Sequence, residues 1–259
     1  MYNILSIGKT GLKSTQNKMD AIGSDLANVN TTGYKKNEIS FQELLVNEIY
    51  DNEVLKSQNV NNANINAGSK SGVGTVNFAQ GAIMPSSGDF HMAISGKGFF
   101  GVRDGNGNLM LTRNGEFHIN ESSIIIDDSG NPVDVNLSVP LDQWPSGNFS
   151  VSANGEITGQ INGQTIELGK IVLYNPEVLD SLTSLGEGRY MASPNVVLNN
   201  SIDQQEDFGD IIQRSIEGSN VEIVKSMADM IITQRAYSLN AKAIQSTDEI
   251  MSMINSLKR

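Results

Sequence analysis

The sequence predicts an α+β protein. Long N- and C-terminal helices pair as a coiled-coil-like core domain, and extended linkers join them to a central antiparallel β-rich domain. Two observations carry that prediction. Apolar residues recur every seven positions at both ends of the chain, and short apolar runs alternate with Asn-Gly and Asp-Gly turns in its middle.

The N-terminal element spans residues 1–33. Leu5, Leu12, Met19 and Leu26 repeat at the heptad period, with Ile22 and Val29 following at the three-residue offset. Gly8 and Thr15, at the other offset positions, are small enough to let a neighbouring helix approach closely. The stretch "NVNTTG" then stops the helix, because Asn and Thr side chains compete for backbone groups and Gly33 suits a left-handed cap. Residues 34–80 read as an extended connection, since "SQNVNNANINAGSKSGVG" has little periodicity.

From 81 to 190 the signals are those of hairpins. Runs such as "FFGV", "FSVSA" and "KIVLYN" are separated by turn chemistry, and five Asn-Gly or Asp-Gly dipeptides fall between them. No helix-length amphipathic segment follows any run, which disfavours a parallel doubly wound sheet. A return linker over 191–217 leads to the C-terminal helix of 218–259. Ser219 with Glu222 three residues on predicts a capping box at its start. Ile223, Met230, Tyr237, Ile244 and Met251 then recur every seven residues, Val224, Met227 and Ile231 widen the stripe, and Ile254 extends it. Gln234, Ala241 and Asp248 weaken the second core position, so packing among several partners is expected rather than a two-helix coil. At 1.5 Å per residue this helix reaches about 55 Å, too long to bury its stripe on a small domain beside it.

Composition narrows the chemistry. A net charge of −11 repels nucleic acid and anionic lipid, and no apolar run is long enough to span a bilayer. With no cysteine there is no disulfide, thiolate nucleophile or thiolate metal site, and no cleavable signal peptide is visible at the N-terminus. Gly96, Gly98 and Gly101 match the dinucleotide glycine spacing, with Glu116 and Glu121 downstream. The motif, however, runs into "FFGV" and a turn instead of opening a helix. Asp104, Asn106 and Asn108 begin like a calcium loop, but Leu109 and Gly115 occupy the sixth and twelfth positions, where Gly and Glu are needed. His91 and His118 are isolated, no nucleophile elbow surrounds a serine, and Asp127 with Asp128 reads as solvated carboxylates. The expectation is no enzyme, no cofactor, no metal and no small-molecule substrate.

The two ends then become informative together. "LANVNTTGYKK" at 26–36, carried by Leu26, Ala27, Asn28, Asn30, Thr32, Gly33 and Tyr34, resembles the signature of bacterial flagellar rod and hook proteins. "EGSNVEIVKSMADMIITQRAYSLNAKAIQSTDEIMSMI" is similar to the C-terminal helix of that family, and "ISGKGFF", "TRNGEFHIN" and "GEGRYMAS" resemble landmarks of its β domain. Where the family tends to place glycine after "FHIN", this chain has Ser123.

The resemblance implies a subunit that polymerises with itself into a hollow helical tube in the cell envelope, at the flagellar basal body. It implies neighbours among rod and hook proteins, passage through the flagellar export apparatus, and transmission of torque. The length resembles the distal rod branch, with the proximal rod or hook branch as the alternative. A non-flagellar coiled-coil scaffold is the remaining rival.

Overall fold

The computed structural model describes residues 2–46, 65–72, 74–145, 149–161 and 164–257. Two helices stand at the ends of the sequence, α1 (Tyr2–Ala27) and α2 (Ile223–Leu257), and the region between them is β-rich. All the paired strands run antiparallel, as hairpin-forming turn chemistry requires. The chain divides into two compact units. The helical unit comprises Met1–Ala27, Asn37–Val76 and Glu222–Arg259, and the β unit comprises Asn28–Lys36 and Asn77–Val221.

The β unit is built around a six-stranded sheet. Its order is Leu182–Gly186, Arg189–Ala192, Leu109–Thr112, Phe99–Arg103, Leu173–Pro176 and Leu198–Asn200. A four-stranded sheet, Val135–Leu137, Gln164–Ile171, Glu156–Ile161 and Phe149–Val151, completes the core. Met92, Phe100, Phe117, Ile157, Leu168 and Ile171 are buried together, and the Phe100 and Phe117 rings meet edge to face at 5.0 Å. Trp144, the chain's single tryptophan, is buried in this cluster and donates its indole N–H to Val139 O.

Four hairpins of this unit close with one five-residue device. In each, the side chain of the first residue accepts the N–H of the fifth, and the fourth residue donates its N–H to the first residue's carbonyl. The sets are Asp104–Gly107–Asn108, Asn120–Ser123–Ile124, Asp127–Gly130–Asn131 and Ser152–Gly155–Glu156. The fourth position has positive φ every time: 85° at Gly107, 60° at Ser123, 83° at Gly130 and 84° at Gly155. This is the three-residue loop with a left-handed bulge position, which glycine fills without strain. Ser123 adopts the same geometry with a Cβ.

A buried ion cluster fastens the strands of the β unit to its connecting segments. Glu217 Oε1 accepts Lys35 Nζ at 2.6 Å and Gly81 N at 2.8 Å, while Oε2 accepts Arg113 Nη1 at 3.1 Å. The side chains of Lys35 and Glu217 are fully buried. Burial holds the Lys35 ammonium and the Arg113 guanidinium below their ordinary pKa values, and the Glu217 carboxylate opposes that shift in both. Removing Glu217 would leave two buried cations without a counterion, a loss of about 3–5 kcal/mol.

In the helical unit, α1 packs on α2 and on the strand Ile65–Ser71, which pairs with Phe41–Val46. This strand lies in the tract read as a connection. It is held there by α1: Ser14 Oγ donates to Ser69 O, Ser69 N donates to Thr10 Oγ1, and Asn17 Nδ2 donates to Ser71 Oγ. Residues 47–64 of that tract lie outside the described residues. The return segment differs likewise. Leu198–Asn200, Asp210–Gln213 and Ser215–Glu217 are strands paired respectively with Leu173–Pro176, Met92–Ser95 and Ile83–Pro85.

Candidate assembly surface

The start of α2 differs from the capping-box expectation. Ser219 lies outside the helix, its hydroxyl accepting Val221 N at 3.3 Å, and the first turn closes from Ser226 N to Glu222 O. At the other end of the first helix, α1 stops at Ala27. Gly33 has φ 69°, with its N–H donated to Glu217 O. A Cβ there would lie 2.4 Å from Asn114 N, so only glycine fits. Thr32 Oγ1 donates to Glu116 Oε1 at 3.0 Å. Those two contacts explain why Thr32 and Gly33 of the terminal motif go with "RNGE" of the β unit.

The faces of α2 are sorted in an unexpected way. Ser226, Thr233 and Thr247 are buried, and Asn240 is half-buried; the four stand seven residues apart. Thr233 and Thr247 satisfy their hydroxyls on their own helix, at Asp229 O and Ala243 O. Met230, Ile244 and Met251 alternate with them and are half-buried. The second inward position is therefore the Ser/Thr/Asn series, and not the Gln234, Ala241 and Asp248 series that the sequence suggested.

The α1 side of this seam is small. A Cβ on Gly8 would meet Ile244 Cγ1 at 2.7 Å, and one on Gly11 would meet Asn240 Nδ2 at 3.0 Å. The close approach expected at Gly8 is present, and Thr15 beside it is buried with its hydroxyl on Gly11 O.

Large apolar side chains of α2 point the other way. Val224 is 83% exposed, Leu239 66%, Ile232 65% and Leu257 87%. Of the residues singled out from the sequence, Ile22 is buried, and Leu5, Leu12, Met19, Leu26, Val29, Met230, Ile244 and Met251 are half-buried. Ile223, Met227, Ile231, Tyr237 and Ile254 are exposed. Ile232, Leu239, Met253 and Leu257 are exposed apolar residues that the heptad reading missed. Their signal was present in the sequence as apolar residues outside the chosen seven-residue series. A groove of about 650 Å³ on the helical unit, lined by Ile7, Gly11, Phe41, Gly68 and Asn240 among others, adds to this surface.

The chemical motifs serve local structure. Gly96 and Gly98 have φ 121° and 120° in the bend between two strands, and Phe99 and Phe100 after them are buried. Asp104 receives the N–H groups of Asn106 and Asn108 and the Asn108 amide, and those bonds hold its carboxyl below the ordinary range. His91 Nδ1 lies 2.6 Å from Ser86 Oγ, and His118 faces outward on its strand, 3.9 Å from Asp128. Among the described residues no group of three or more metal-ligating side chains is assembled, and no helix is long and apolar enough to cross a membrane.

Comparison with known proteins is consistent along the chain. Residues 5–35 match the family model "Flagella basal body rod protein", residues 93–159 match "Flagellar hook protein FlgE/F/G D1 domain", and residues 212–257 match "Flagellar basal body rod FlgEFG protein C-terminal". The flagellar basal-body rod protein FlgG of Buchnera aphidicola subsp. Schizaphis graminum is 30% identical, over 99% of this chain and 100% of its own. FlgG of Bacillus subtilis is 29% identical with both chains fully covered. The flagellar hook-basal body complex protein FlhP of the same organism is 28% identical, again over both full lengths. Full-length alignment to rod proteins, together with matches at both terminal segments, makes this chain a member of the flagellar basal-body rod protein family, whose members are structural subunits and not enzymes.

Proposed function

We propose that copies of this chain assemble through their helical units into a hollow helical tube, forming the distal part of the flagellar rod. The tube transmits torque from motor to hook and leaves a channel through which later flagellar proteins pass. Neighbouring rod and hook proteins join it at either end, and the subunit itself reaches its place through the flagellar export apparatus.

One observation carries this reading. Helix α2 turns its small polar residues toward α1 and its large apolar residues, Val224, Ile231, Ile232, Leu239 and Leu257, toward solvent. An apolar helix face of this length is a cost in water that contact with neighbouring copies removes. The same arrangement supports a many-partner packing over a closed two-helix coil, because every second layer of the inward seam is Ser, Thr or Asn.

The test is sedimentation and electron microscopy of the concentrated chain. Tubular polymers are expected, and Ile231→Asp with Leu239→Asp should abolish them while Trp144 fluorescence stays that of the folded β unit. Undiminished polymers from the double variant would show that this face does not carry assembly.

A further inference from the structure

We infer that residues 215–221 form a strap that closes last on the β unit, locking it only after its hairpin core has formed. The strap begins at a hinge. Arg214, with φ 55°, is the single residue between the strands Asp210–Gln213 and Ser215–Glu217. Its left-handed backbone lets the chain leave Met92–Ser95 and pair instead with Ile83–Pro85.

Two residues of the strap then gather every segment through which the β unit connects to the rest of the chain. Glu217 holds Lys35, Arg113 and Gly81 through its carboxylate and Gly33 through its carbonyl. Asn220 accepts Lys36 N at 2.7 Å, and its amide donates to Asn77 O and Ala79 O.

Two physical effects place this closure late. The first is chain entropy. Glu217 is 182 residues from Lys35 and 104 from Arg113, and Asn220 is 184 from Lys36. The hairpins of the core close through five-residue turns, and its long-range pairings, Asp210–Gln213 on Met92–Ser95 among them, place Ile211 in the core and so carry the hinge to its position ahead of the strap. The cost of closing a loop rises with its length. The second is charge. Until Glu217 arrives, Lys35 and Arg113 are two cations with no carboxylate to accompany them into the interior, so this end of the β unit stays hydrated. The core around Trp144 contains neither cation, and nothing in it waits for the strap.

Pulsed hydrogen exchange during refolding of the full chain tests the order. The amides of Val133 and Ile171, bonded to Ile125 O and Gly155 O, should become protected together with Trp144 burial. Those of Gly33, Lys36 and Gly81 should follow in a phase about fivefold slower or more. Protection of both sets in one phase overturns the inference. A second measurement uses Glu217→Gln, or Asn220→Ser if the first variant does not fold. Unfolding should accelerate about tenfold or more, while the refolding rate read from Trp144 changes by less than about twofold. A larger fall in refolding rate places the strap in the folding nucleus and overturns the inference as well.

Discussion

The two units of this protein solve burial in opposite ways. The β unit hides Phe100, Ile157, Leu168 and Ile171 and carries nearly all of the net charge: 8 basic and 18 acidic residues, against 10 and 11 in the helical unit. The helical unit is close to neutral, faces Ser226, Thr233 and Thr247 inward, and leaves Val224, Leu239 and Leu257 in solvent. One unit closes its apolar core on itself, and the other keeps much of its apolar surface exposed. Hydrophobicity alone therefore does not locate the core, since part of the apolar surface of this chain lies outside it.

Paired truncations would break this contrast if it were wrong. Leu168→Ala should destabilise the β unit by about 2–5 kcal/mol in a denaturant titration followed by Trp144. Leu239→Ala should change the stability of the isolated subunit by no more than about 0.5 kcal/mol. Equal losses would mean that α2 buries Leu239 within the subunit.

Gly8→Val probes the inward seam. The added atoms fall on Ile244, so the helical unit should lose about 1–3 kcal/mol, measured by thermal loss of the helical circular dichroism signal. Ionic strength probes the charge partition. Raising salt from about 0.05 to 0.5 M shortens the screening length to a few ångströms, which should lower the concentration needed for assembly several-fold. A rise in that concentration would mean attractive ion pairs dominate between copies. The smallest effect is expected at Ser123→Gly. Relief of left-handed strain exceeds the entropic cost of glycine, for a gain of about 0.5 kcal/mol in β-unit stability.

Much of the architecture was legible in the sequence because it rests on local chemistry. Heptad spacing located both helices, and Asp104-Gly105, Asn106-Gly107 and Asn154-Gly155 located two of the hairpins, whereas Asn114-Gly115 joins strands that do not pair with each other. Ser123, noted as a departure from glycine, proved to hold the geometry glycine would have. The orientation of α2 was not legible. A stripe of Ile, Met and Tyr looks the same whether it faces its own chain or another, and only the structure shows that Thr233 and Thr247 face inward.

Lys35 was equally hidden. In "GYKK" it reads as a solvated cation, and its counterion Glu217 lies 182 residues away, beyond any local pattern. The strand Ile65–Ser71 escaped notice because side chains of α1 fasten it, while its own Asn, Gly and Ser residues have little strand propensity.

The repeated turn device has a consequence of its own. Each of these hairpins is closed by a side chain within the same five residues, and at Asp104–Asn108 and Asn120–Ile124 that closure makes no demand on distant sequence. Such turns are portable. One can replace another, and a peptide graft at Asn106 or Ser122 would be framed by a closure that stays intact if its first, fourth and fifth residues are kept. These two turns thus offer sites for sequence variation on the surface of the β unit, whereas Ser152–Glu156 is tied to the core by Ala153 O and Gly155 O, which accept Ile211 N and Ile171 N.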